Sequence, residues 1–181
     1  MTRIRTILAA FALALFGAVA PLHYAPSSGL GYQAASAQSL TDYAENRLID
    51  ALMRGQSIGT PATWYVGLMT SACSDSAAGT EVSGGSYARV AVTAGLTQWA
   101  GTQSAGSTTA SSGTGGQTSN NAAITFPAPT ASWGSVTHFG IWDASTSGNL
   151  WICQALTTPK SVNSGDASPS FSAGALTITL Q

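Results

Sequence analysis

Charged side chains are scarce in this 181-residue chain, and their signs nearly cancel. Seven acidic and six basic residues leave a formal net charge of −1, and charged residues make up 7% of the chain, against roughly a quarter in ordinary soluble domains. Without a basic surplus to neutralise phosphates, nucleic-acid binding is disfavoured. The heptad repeats of a long coiled coil are missing too. Disorder is also disfavoured, because 44% of the residues are hydrophobic and five are tryptophan.

Small polar residues take the place of charge. Serine and threonine together number 46, and glycine adds 20. This composition is typical of a neutral, β-rich domain and suits an extracellular or assembled protein better than a cytosolic enzyme.

The residues that enzymes use for proton transfer are almost absent. After residue 38 the chain has one histidine, His138, which lies in an apolar stretch in phase with Val136 and Trp142 and is therefore predicted to be a hydrogen-bonded core residue. A Ser-His-Asp triad would depend on it, and no Gly-x-Ser-x-Gly elbow follows a predicted strand. No spacing singles out a carboxylate pair such as Asp75 with Glu81. We predict a protein that is not an enzyme and that binds no cofactor and no metal.

Residues 143–149, Asp-Ala-Ser-Thr-Ser-Gly-Asn, weakly resemble a calcium-binding loop. Serines stand at 145 and 147, where such a loop usually has acidic or amide ligands. The stretch is better interpreted as a hairpin turn closed by Gly148 and Asn149.

Two cysteines, Cys73 and Cys153, are the only thiols. A disulfide between them is an option if the chain is exported, and two buried free thiols are the alternative.

Residues 1–38 have the pattern of a secretory leader. Arg3 and Arg5 precede a 14-residue apolar run at 7–20, which is shorter than the roughly 20 residues of a membrane-spanning helix. A retained hydrophobic anchor is the alternative to cleavage. Two small-residue cleavage sites are available, at 18–20 and 35–37.

One helix is predicted to open the folded part, which we place at residues 39–181. Ser39 and Asp42 approximate a capping box, and Gly55 is a stop signal. An apolar stripe at helical spacing is formed by Leu40, Ala44, Leu48, Ala51 and Leu52.

Short β-rich segments bounded by turn residues follow the helix. Their pattern predicts a mainly β fold, an antiparallel β-sandwich or jelly-roll-like domain with one short N-terminal helix. The expected strands cover residues 63–70, 87–97, 122–126, 136–143, 150–156 and 175–180. Because the segment at 136–143 is apolar on both faces, it should be a central strand or lie at a subunit interface.

A long polar stretch at 100–121 contains five glycines, ten serines or threonines and no charge. It is predicted to be a flexible loop, since so long an unstructured connection is unusual in a compact domain. Trp99 stands at its start, and loops carried on a rigid scaffold are common binding sites. Tryptophans in the strands are better explained by packing in the core or at an interface. The residues predicted to contact a surface glycan are Trp99, Gln103, Gln117, Asn120 and Asn121.

Several segments, in this order, resemble a family of small tail fibre proteins of tailed phages. They lie at 43–55, 61–68, 79–89, 121–127, 131–143, 148–150, 159–160, 162, 165–166 and 171–176, and the resemblance covers roughly residues 39–181. The resemblance implies a structural or adhesion component of the virion that has no catalytic residues and partners other tail proteins. A neutral surface with few charges to desolvate also favours assembly with copies of itself. The leader departs from the family pattern, so a secreted carbohydrate-binding or adhesion module of prophage origin, exported or held at the cell surface, is the alternative.

Overall fold

The computed structural model describes residues 40–101, 107, 109–112 and 115–180. Over these ranges the chain forms one helix and nine antiparallel strands, so the mainly β prediction with one N-terminal helix is confirmed. The elements are α1 (Asp42–Arg54), β1 (Thr63–Met69), β2 (Val90–Thr93), β3 (Trp99–Ala100), β4 (Gly116–Asn120), β5 (Ile124–Thr125), β6 (Gly134–Trp142), β7 (Leu150–Val162), β8 (Ser170–Phe171) and β9 (Thr177–Leu180).

The strands form three sheets, of which the largest has the order β2-β1-β6-β7. The two smaller sheets have the orders β3-β4-β9 and β5-β8. β6 pairs with β1 on one side and β7 on the other, which confirms its prediction as a central strand. The main core lies between the large sheet and the smaller ones, as in a β-sandwich. The large sheet contributes Val66, Leu68, Phe139 and Ile141, and the smaller sheets contribute Ile124 and Ile178.

A second apolar cluster covers part of the opposite face of the large sheet. Its members are Met69, Trp142, Leu150 and Cys153. Gly67 and Gly140 are paired across β1 and β6 beneath the Trp142 indole. A Cβ at either glycine would lie 2.6 Å from that ring, so glycine is required for this close approach.

The N-cap of helix α1 lies two residues later than predicted. Thr41, not Ser39, is the N-cap, and its hydroxyl accepts a hydrogen bond from the Ala44 N–H. The Thr41 hydroxyl also donates to the Leu150 carbonyl, and its N–H donates to the Trp151 carbonyl, so contacts with β7 determine where the helix starts. Gly55 has a left-handed conformation and ends the helix as predicted.

The predicted apolar stripe of the helix is only partly buried. Ala44 is buried and Leu48 and Ala51 are half-buried, but Leu52 is 67% exposed. The packing that selects the inward face comes from β7.

The prediction of a loop over residues 100–121 was partly wrong. Residues 116–120 form β4, whose Thr118 and Gln117 pair with Ile178 and Thr179 of β9. The stretch has no apolar side chain to indicate a strand, and its backbone hydrogen bonds to β9 define it. The short strands β3 and β8 were also missed.

Candidate functional site

Trp99 lies at the edge of the β3-β4-β9 sheet, where it pairs with Asn120. It lines a cavity of about 500 Å³ beside residues of the large sheet. The other apolar walls of this cavity, which we call the Trp99 cavity, are Trp64, Leu96, Ile141, Ile152 and Ile178. A pocket with aromatic walls and few polar groups has the general character of a small-ligand site.

Two buried polar atoms have no hydrogen-bond partner among the described residues; Trp99, which carries one of them, lines the cavity, whereas Asn121, which carries the other, does not. One is the indole Nε1 of Trp99, a donor, and the other is the side-chain oxygen Oδ1 of Asn121, an acceptor. The amide nitrogen of Asn121 is occupied, since it donates to the Leu96 carbonyl at 3.0 Å. Leaving a buried polar group unpaired costs about 1–3 kcal/mol.

Asn120, in contrast, is not a surface residue, and its prediction as a glycan contact is wrong. Its side chain is 1% exposed. The amide nitrogen donates to the carbonyls of Ala122 and Ser172, both at 2.8 Å, and the amide oxygen accepts the Leu176 N–H at 2.8 Å. Asn120 therefore joins β4 to the segment between β8 and β9.

The remaining predicted contact residues are separated by the fold. Gln117 is exposed on β4, and Asn121 is half-buried directly after that strand. Gln103 lies outside the described residues. The structure thus brings Trp99 and Asn121 to one end of the β3-β4 pair, and it places Gln117 farther along β4 opposite Thr179.

His138 is half-buried rather than in the core. Its Nδ1 shares a hydrogen bond of 2.8 Å with the neighbouring Thr137 hydroxyl, and burial lowers the pKa of the imidazole. This partner is a threonine on the same strand, so the contact is not the base–carboxylate contact of a triad.

The 143–149 stretch is the hairpin turn between β6 and β7, as predicted. The Asp143 carboxylate accepts hydrogen bonds from the backbone N–H and the side-chain amide of Asn149 and from the Trp151 indole N–H. Burial alone would raise the pKa of Asp143, but these hydrogen bonds outweigh it and lower the pKa.

The turn is held by a cation that sequence reasoning missed, the guanidinium of Arg89. Arg89 donates to the carbonyls of Ala144 at 2.8 Å and Ser147 at 2.7 Å. Two further bonds of 2.7 Å run to the Glu81 carboxylate. The sequence did contain one signal for this role: in a chain with so few charged residues, Arg89 is the only arginine after residue 54. Its carbonyl partners are 55 and 58 residues away in sequence and could not be predicted from local pattern.

Tyr87 extends this network into the core. Its hydroxyl donates to Glu81 at 2.9 Å and accepts the Leu68 N–H at 2.8 Å. Burial, together with the nearby Glu81 carboxylate, raises the pKa of the Tyr87 phenol well above its usual range. The Glu81–Tyr87–Arg89 group is thus a satisfied structural network.

The two cysteines form a disulfide, with their Cα atoms 6.5 Å apart. The bond joins the segment after β1 to β7 over 80 residues of sequence. Cys153 belongs to the second apolar cluster, and Cys73 packs against it. Of the two alternatives that the sequence left open, the structure selects the disulfide.

Neither a metal centre nor a membrane-spanning helix is found in the part of the chain that the structure describes. No three ligand-type side chains are grouped there to hold a metal ion. No helical segment of this part combines the length and the apolar character needed to cross a bilayer.

The family model described as podophage GP4 fiber I protein gp80 matches residues 39–179. No curated protein matches the chain.

Proposed function

Because this chain belongs to the gp80 family of podophage fiber I proteins, we propose that it is a non-enzymatic component of the phage tail that assembles as an oligomer and contacts the host surface. The family match over residues 39–179 is the observation that supports this function.

Assembly with copies of itself is favoured by the surface chemistry. With six basic and seven acidic residues in the whole chain, few charges need to lose water when two copies meet. Outward-facing Ile49, Leu52 and Met53 on α1 are each more than half exposed and supply apolar area for an interface. Analytical ultracentrifugation over a range of concentrations tests this part. A sharp monomer at the highest concentration would contradict it.

Host contact is proposed at the Trp99 cavity, with a surface glycan as the ligand. An indole ring stacks on the apolar face of a sugar, while the unpaired Trp99 N–H and Asn121 oxygen complement sugar hydroxyls, which both accept and donate. Low affinity at each copy would be raised by the multivalency of an oligomer.

A glycan array with purified protein tests this site. Trp99→Ala should abolish binding, and Trp99→Phe, which keeps a ring but loses the N–H, should weaken it. Gln117→Ala is the matched control, because Gln117 is exposed on the same sheet and does not line the cavity. If binding survives Trp99→Ala but not Gln117→Ala, the glycan contact lies on the exposed face of β4 and not in the Trp99 cavity.

The second candidate is an exported adhesion or carbohydrate-binding module of prophage origin. The disulfide between Cys73 and Cys153 favours it, since disulfides persist in oxidising compartments, and the leader-like pattern of residues 1–38 agrees. Cleavage after residue 37 would give a mature chain that starts at Gln38 and has 144 residues, which is 181 minus 37. An intact-mass measurement on natural material tests it, and a chain starting at Met1 or Thr2 would exclude cleavage.

A further inference from the structure

The last strand of the large sheet, β7, is interrupted in its middle. Val136 of β6 pairs with Lys160, but His138 pairs with Ala155. One residue of β6 is therefore opposite four residues of β7, at 156–159, and these four bulge out of the ladder. Pro159, which has no N–H to donate, fits such an unpaired position.

A cleft of about 570 Å³ lies against this bulge, and we call it the β7 cleft. Phe126, Phe139 and Phe171 form its apolar floor, with Phe171 packed edge-on against the other two rings at centroid distances of 6.2 and 5.9 Å. Leu156 and Thr158 of the bulge form part of its rim. The volume is in the range of ligand sites, roughly 300–1,000 Å³.

The rim of the cleft carries one lysine and one aspartate, and only the aspartate is engaged. Asp166 accepts the Asn163 N–H at 2.7 Å. Lys160 is exposed and forms no ion pair with any residue of the described ranges. A lysine side chain can lay its apolar stem along the wall and direct its ammonium to a ligand at the mouth.

We propose that the β7 cleft binds an amphipathic anion, an acyl chain with a carboxylate or phosphate head. The chain occupies the phenylalanine floor and the head pairs with Lys160. Hydroxyls on the rim, such as that of Thr158, donate to the remaining head-group oxygens. This inference goes beyond the proposed function and does not depend on it, because the cleft and the Trp99 cavity have no lining residue in common.

Calorimetric titration of the full chain with decanoate, below its micelle concentration, tests the site. Decanoate and decyl phosphate are the two anionic probes, and decylamine is the matched cation. We expect saturable binding of at least one anion and binding of decylamine that is at least about tenfold weaker, as expected for the loss of one charged hydrogen bond. Whichever anion binds more tightly identifies the head group.

Two variants locate the binding. Lys160→Met keeps the length of the side chain and removes its charge, and it should weaken anion binding about tenfold or more, whereas Lys160→Arg should retain it. Ala175→Phe, which fills the cleft from its lining, should abolish binding while circular dichroism shows an intact fold. Absence of anion binding to the wild type, equal binding by Lys160→Met, or equal binding by a folded Ala175→Phe would each overturn the proposal.

Discussion

The guanidinium of Arg89 lies 4.0 Å from the centre of the Trp142 indole ring. The ring itself lies on Gly67 and Gly140, so two glycines, an indole and a guanidinium form successive layers on one face of the large sheet. A cation over an indole is favourable, more so when it is shielded from water. This stack joins the central strands to the β6–β7 turn and to Glu81.

The ion pair beside this stack should be costly to break from one side. The Arg89 and Glu81 side chains are 7% and 28% exposed. Arg89→Met leaves the partly buried Glu81 carboxylate without its cationic partner, with only the Tyr87 hydroxyl still donating to it. We therefore expect a loss of about 3 kcal/mol in the free energy of unfolding, at the lower end of values for broken buried pairs. Urea denaturation measures it.

The double variant Arg89→Met with Glu81→Gln is the control for that prediction. It removes the orphaned charge and should recover part of the stability. A double variant as unstable as the sum of the two single variants would show that the pair is not coupled.

The glycine beneath the indole should not accept a side chain. Gly140→Ala places a Cβ 2.6 Å from Trp142, and we expect a loss of about 1–3 kcal/mol from overpacking. Thermal unfolding measures the change. Gly95→Ala is the matched control, because a Cβ there meets nothing within 4 Å. If both variants have the same melting temperature as the wild type, the close approach of the Trp142 ring to Gly140 does not contribute to stability.

Removing the disulfide should lower stability without changing the fold. A cross-link between residues 80 positions apart restricts the unfolded chain, and its loss should cost roughly 2–5 kcal/mol. The double variant Cys73→Ala with Cys153→Ala is compared with the wild type in thermal unfolding, with and without reductant. Reductant should lower the melting temperature of the wild type alone, and an unaffected wild type would contradict the prediction.

Acid should weaken the β6–β7 turn through Asp143. Its pKa is lower in the folded state, so its hydrogen bonds contribute stability above the unfolded pKa of about 4, and that contribution is lost as the pH falls through the folded pKa. Wild type should therefore exceed Asp143→Asn in unfolding free energy at about pH 7, and the gap should narrow in acid. Urea denaturation at a series of pH values measures the unfolding free energies of the two proteins. A difference between them that does not change with pH would contradict the role of the Asp143 carboxylate.

The sequence was sufficient for elements that carry their own apolar pattern. The central strand β6 was predicted because Val136, Phe139 and Ile141 require burial, and the helix stop at Gly55 because glycine readily adopts a left-handed conformation. β4 could not be predicted, since Gly-Gln-Thr-Ser-Asn is polar and becomes a strand only by pairing with β9.

The candidate site was harder to predict, because long-range contacts decide which polar residues are exposed. Asn120 and Asn121 are adjacent and chemically identical, yet the first is buried by bonds to residues more than 50 positions away. The second keeps an unpaired oxygen. Trp99 was identified because it stands beside a polar stretch rather than within an apolar strand.

Because β7 is interrupted, the number of residues at 156–159 can change without a change in how β7 pairs with β6 on either side. Residues before it are aligned by pairing with 138–142, and residues after it by pairing with 134–136, so each flank keeps its alignment without the other. Shortening or extending the four residues at 156–159 would change the rim of the β7 cleft and leave both flanks in place. Homologous chains can thus diverge in length at this position, and in what they bind there, while they conserve the same core.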